Sequence, residues 1–270
     1  MQNKYDSENR LIVCKRRQRW YLELTVALVV LGVVVTLLFP AVQAAREEAR
    51  RMQCTAGPKP LALAMHNYYD RHGSLPPAYT VDENGKPLHS WRVLILPYIE
   101  QNELYNKIRL DEPWDSEYNR QFHGAQISTF QCPTRRKTTS AWSIRNVFVK
   151  NRDLLSKANC DYSIVVGDGT IFSGSQSITF KDITDGTSNT ILIVERMTPV
   201  NWMDPNNEVR FEAARDGINR NLHGIGSEHW RGNVWSNAGG AWVAFADGSI
   251  KFLPDDFEDI EPLLTKSAGD

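Results

Sequence analysis

Four neighbouring side chains in the second half of the chain, Asp182, Asp185, Thr187 and Asn189, carry the oxygen donors that a hard cation such as calcium prefers. Their spacing does not follow the EF-hand loop. Asp185 also belongs to a set of Asp-Gly dipeptides, Asp168-Gly169, Asp185-Gly186, Asp216-Gly217 and Asp247-Gly248. Such dipeptides build tight turns unaided, because aspartate bonds its own backbone and glycine accepts positive φ, so a calcium site and plain turns are both open. The six histidines are scattered. Neither His66 with His72 nor His223 with His229 has the i, i+4 spacing by which two helical histidines share a zinc ion. The chain has no Gly-x-Ser-x-Gly elbow, no phosphate-cradling glycine loop and no Cys-x-x-Cys, so its motifs mark no enzyme active site. Among eight tryptophans, Trp230, Trp235 and Trp242 are suited to a carbohydrate- or peptide-binding surface, although large aromatics more often fill cores.

The elements that would position these residues begin with an apolar run from Trp20 to Phe39 whose only charge is Glu23. As a helix it is long enough to cross roughly 30 Å of hydrocarbon, and it is longer than the apolar region of a cleaved secretory signal. Lys15, Arg16, Arg17 and Arg19 cluster at its N-terminal end, which the positive-inside rule keeps cytoplasmic. The reading is a cytoplasmic leader at 1–19, a transmembrane helix at 20–39, a helical extension at 40–56 and an exported globular domain at 57–270. The expected location is the inner (cytoplasmic) membrane, with a single pass. A formal charge of −1 and a pI near 6.6 give no reason to expect nucleic acid as a partner, and Arg135-Arg136-Lys137 reads as a solvated loop.

Within the exported part, Leu61, Met65, Tyr68 and Tyr69 recur at helical spacing, and His72-Gly73 closes the segment. Ser90 is placed to cap a further helical segment in which Val93, Leu94, Leu104 and Ile108 form an apolar stripe interrupted at Pro97. The period then changes. Ser163–Val166, Thr190–Val194, Ala241–Phe245 and Ile250–Leu253 are short β-branched or aromatic runs near Asp-Gly turns, which reads as an antiparallel sheet. The fold class is α+β, with helices first and the sheet in the C-terminal half.

The basic leader, Glu23 early in the apolar helix, Pro40 and the charged continuation resemble the N-terminus of type IV prepilins and pseudopilins. More specifically, AREEARRMQC, LALAMHNYYDRHGSLPPAY, SWRVLILPYIEQNELYNKI, LDEPWDSEYNR, DITDGTSNTILIVE and FADGSIKFL together resemble a pseudopilin-like family of unknown function expanded in planctomycete bacteria, domain-of-unknown-function family 1559. The resemblance implies a pilin-like body, with the long N-terminal helix packed along a small sheet and able to pair with like subunits. Some pseudopilins also bind calcium in a C-terminal loop. Two departures stand out. Gln18 occupies the position at which prepilin peptidase requires glycine, and Arg19 the first mature position. The family's C-terminal signature pairs a histidine, followed by Gly-Gly, with a downstream Asp-Gly. Here Asn237 stands in place of the histidine, followed by Gly239-Gly240 and Asp247-Gly248.

Topology also sorts the cysteines. Cys14 falls on the reducing side, whereas Cys54, Cys132 and Cys160 fall where disulfides persist. Cys132–Cys160 is the preferred bridge, because both belong to the globular body, but spacing alone does not settle connectivity. The expected function is that of a membrane-anchored, pseudopilin-like envelope protein with a structural or interaction role and no enzymatic activity. The alternative is a tethered binding module for an extracellular solute, glycan or calcium.

Overall fold

The computed structural model describes residues 57–132, 159–227 and 239–267, together with helical positions between 28 and 42. The chain divides into two units, Met1–Arg51 and Met52–Asp270. In the first unit every described position, Leu28, Val29, Leu31 to Val34, Thr36, Leu38, Phe39 and Val42, is helical and exposed. Among the described residues no helix is long and apolar enough to cross a membrane. Residues 20–27, Pro40 and most of the expected extension lie outside them.

The second unit opens with helix α1 (Pro58–His72). Proline is well suited to the first turn, where its missing N–H would have had no partner. Gly73 ends the helix at φ 76°, its N–H bonding Tyr69 O at 2.7 Å, with Arg71 and His72 near the negative end of the helix dipole. Leu61, Ala62, Ala64 and Met65 are buried on the face that meets the sheet, and Tyr68 and Tyr69 are half-buried. Strands β1 (Tyr79–Val81) and β2 (Pro87–Ser90) then form an antiparallel hairpin. Its turn is held by Asp82 Oδ1, which accepts the N–H groups of Asn84 and Lys86 at 2.8 Å each.

Ser90 caps the next segment as its position predicts, its Oγ accepting Arg92 N–H at 3.3 Å. The segment is not one helix. It breaks into Trp91–Leu94, a 3₁₀ turn over Leu96–Ile99 containing Pro97, and Asn102–Tyr105, with Glu100 at φ 63° between the last two. Val93 and Ile108 of the expected stripe are buried, while Leu94 and Leu104 are half-buried.

The sheet occupies the C-terminal half: β3 (Cys160–Ser163), β5 (Ile191–Val200), β7 (Gly240–Phe245) and β8 (Ile250–Pro254) pair in that spatial order, all antiparallel. Strands β4 (Val165–Val166) and β6 (Val209–Arg210) form a separate parallel pair. Both faces of the sheet are covered. Along β7, Ala244 and the following Ala246 join the core beneath α1, whereas Ala241, Val243 and Phe245 join a second core with Val209, Ile218, Ile225 and Leu264. Alternation to two dry faces explains why these strands read as continuous apolar runs. The body is thus mixed α+β, with its antiparallel sheet in the C-terminal half.

Candidate functional site

All four Asp-Gly glycines lie in the left-handed region: Gly169 at φ 79°, Gly186 at 92°, Gly217 at 101° and Gly248 at 83°. Each dipeptide is therefore a tight turn. At the proposed calcium loop, the Asp182 carboxylate closes a capping box, accepting Thr179 N–H at 2.7 Å and Thr179 Oγ1 at 2.9 Å. These bonds hold its pKa below the ordinary carboxylate range. Asp185 Oδ2 accepts the Thr265 hydroxyl at 3.4 Å, Asn189 donates to Asp185 O at 3.1 Å, and Thr187 O accepts Asp247 N–H at 2.9 Å. These groups tie the loop to the β7–β8 hairpin and to the C-terminal segment. Among the described residues no group of three or more His, Cys, Asp or Glu is arranged to hold a metal ion.

The signature residues gather around strand β7. Asp247-Gly248 forms the hairpin turn, with Gly248 N–H bonding Phe245 O and Phe245 N–H bonding Ser249 O, both at 2.9 Å. Burial by itself would raise the Asp247 pKa, but hydrogen bonding from Ser249 and the Lys251 charge outweigh it, and the carboxyl sits below its usual range. At the other end, a side chain on Gly239 would collide with Asp255 Oδ2, and one on Gly240 with Leu253 O. The paired glycines let the chain pass under a polar knot. Asn219, itself at φ 58°, donates to Asp255 Oδ1 and accepts Ser227 N–H at 2.8 Å, while Ser227 Oγ donates to Gly240 O at 2.6 Å. Asn237, Gln18, Arg19 and Glu23 lie outside the described residues, as do Cys14, Cys54, Trp230 and Trp235.

A densely bonded polar centre among the described residues carries no sequence motif. Arg92 and Glu208 form an ion pair whose side chains are 0% and 2% exposed. Arg92 Nη2 donates to Glu208 Oε2 at 3.0 Å and to Tyr162 O at 2.7 Å, and Nη1 reaches Ser90 Oγ at 3.1 Å. Glu208 also accepts Trp91 Nε1 at 3.2 Å, Ser163 Oγ at 2.7 Å and Ile164 N–H at 3.4 Å. Desolvation, which alone would lower the Arg92 pKa, is overcome by the adjacent carboxylate, so it stays charged. One sequence signal existed: an arginine inside the apolar run WRVLIL must either point outward or find a buried anion. This centre has every charge partnered and is closed to solvent, so it serves as a structural clasp joining the Ser90–Arg92 segment to β3 and the residues before β6.

The expected Cys132–Cys160 bridge is not formed. Cys160 is a buried thiol that donates to Tyr162 O at 3.2 Å and accepts Arg92 Nε at 3.2 Å, a bonding pattern that belongs to the reduced side chain. Burial raises its pKa, against the pull of Arg92. Cys132 is also buried, with its backbone N–H held by Asp161 Oδ2 at 2.6 Å. Of the tryptophans, Trp91 and Trp202 are fully buried and Trp242 packs edge-on against Phe252. These rings serve the core.

Fold and site together define a mixed α+β body whose antiparallel sheet enters β7 through Gly239-Gly240 and leaves it through the Asp247-Gly248 hairpin turn. The chain belongs to the family described as protein of unknown function (DUF1559), which it matches over residues 43–237. Neither a curated protein nor a solved structure matches it.

Proposed function

We propose that this protein is a single-pass, membrane-anchored, pseudopilin-like envelope protein with a structural or interaction role and no catalytic activity. The observation that carries this reading is the state of the apolar N-terminal run. Leu28, Val29, Leu31, Val33, Val34, Leu38, Phe39 and Val42 are helical, yet their side chains are 43–65% exposed. A helix apolar on all sides stabilises nothing in water, whereas in lipid its backbone is satisfied internally and its side chains are solvated by hydrocarbon. The basic residues from Lys15 to Arg19 orient the anchor with its N-terminus in the cytoplasm.

Processing separates a permanent anchor from an assembling pilin. Glu23 is costly within a membrane, and Arg19 lies one helical turn before it, placed to pair with it without a neighbouring subunit's new N-terminus. N-terminal sequencing of the protein purified from its native membrane is expected to find residues 1–18 retained. A mature chain beginning at Arg19 would restore the processed, filament-forming reading and remove the intramolecular pair.

A further inference from the structure

His89, on β2, is 1% exposed, and both of its ring nitrogens are buried with no hydrogen-bond partner. A buried polar group without a partner is uncommon and costs stability, so its presence calls for a reason. The ring lies against the 109–112 backbone, whose segment is fastened to β2 by Trp114 N–H on Leu88 O at 2.9 Å. Asn119 also organises that segment. Its Nδ2 donates to Arg109 O at 2.9 Å, Glu112 O at 3.3 Å and Pro113 O at 3.0 Å.

We propose that His89 is an acid-sensitive lock: the uncharged ring packs β2 against the 109–113 segment, and protonation of the ring releases that segment. A full charge would enter a buried site in which two of the three nearby carbonyls, those of Arg109 and Glu112, already accept from Asn119, leaving that of Leu110. The charges around it do not compensate. Burial lowers the His89 pKa from 6.5, opposed only in part by the carbonyls of Glu112, Leu110 and Arg109 and by the Asp111 carboxylate. Arg109 and Glu112 are engaged with each other at 2.8 Å, and Arg109 also lies over the Tyr118 ring. On the β2 side Arg92 and Glu208 are paired, and β1 supplies the neutral Thr80, whose hydroxyl accepts His89 N–H at 3.1 Å. His123, buried beside Trp114 with Nε2 2.9 Å from Trp114 O, is the neighbouring titratable ring and has its own acceptor. Because the folded pKa lies below the unfolded one, the unfolded form binds more protons. The closed state is therefore favoured above pH 6.5 and loses ground as pH falls below it.

Hydrogen exchange on the full chain in detergent micelles at pH 7.5 and 5.0, corrected for intrinsic rates, tests this. The amides of residues 109–119 should lose protection at pH 5.0 relative to pH 7.5, while β7 and β8 keep theirs. His89→Gln, which cannot take up a proton, should abolish the loss. Retained protection in the wild-type protein at pH 5.0, or the same loss in His89→Gln, would overturn the proposal. Should that variant not fold, exchange at the His89 ring carbon in the wild-type protein decides the matter: a midpoint below pH 6.5 supports the lock, and one at or above it refutes it.

Discussion

Arg92 and Glu208 lie far apart in the chain yet meet where neither can reach water. Two opposite charges in a dry interior hold together well but cost much to desolvate, so their value lies in what happens when one is missing. Arg92→Met would leave the Glu208 carboxylate buried without its counter-charge and should cost about 3–5 kcal/mol in urea unfolding. Arg92→Met with Glu208→Leu should cost much less than the two single changes added together, because no buried charge remains. Additivity would contradict the clasp. Cys160 shares this environment. Its buried thiol, with pKa pushed up, should resist iodoacetamide in the native protein and react after denaturation, as read by peptide mass spectrometry. Labelling of native Cys160, or its recovery in a disulfide with Cys132, would contradict the reduced, closed site.

At the level of the elements, local signals were legible wherever one residue's chemistry decides the backbone. Ser90 at its cap, Gly73 at the end of α1, and the four Asp-Gly turns needed only their own side chains and dihedral freedom. The strands were legible because β-branched runs between turns have few other uses. The β1–β2 hairpin escaped notice because its strands are short, the second begins at Pro87 and its buried residues, His89 and Ser90, are polar, so no apolar alternation marks them. In the third helical segment the interruption at Pro97 was legible from the proline itself, whereas the second break, at Glu100 in the left-handed region, carries no such local signal. The clasp was illegible beyond Arg92 itself, since pairing between distant residues depends on topology. The signature Gly-Gly gains its meaning only from the approach of β8. Gly240→Ala would drive a methyl group into Leu253 O and the Phe252 ring, and should destabilise the body by about 1–3 kcal/mol by disturbing the β7–β8 register. An unchanged denaturation midpoint would show that the strands can separate at no cost.

On the scale of the whole molecule, the chain combines an N-terminal unit whose described positions are helical and mostly apolar with a body whose described residues form two apolar cores about one sheet. On the reading proposed above, the exposed apolar side chains at the described positions of the first unit are solvated by lipid. That is the central claim, and it predicts sidedness. Protease added to the outside of spheroplasts should digest residues 57–270 and leave a membrane-retained fragment containing the basic leader and residues 20–39, detected with antibodies to each end. Protection of residues 57–270 until the membrane is breached, or release of the intact chain by alkaline carbonate without detergent, would contradict the anchored, exported topology.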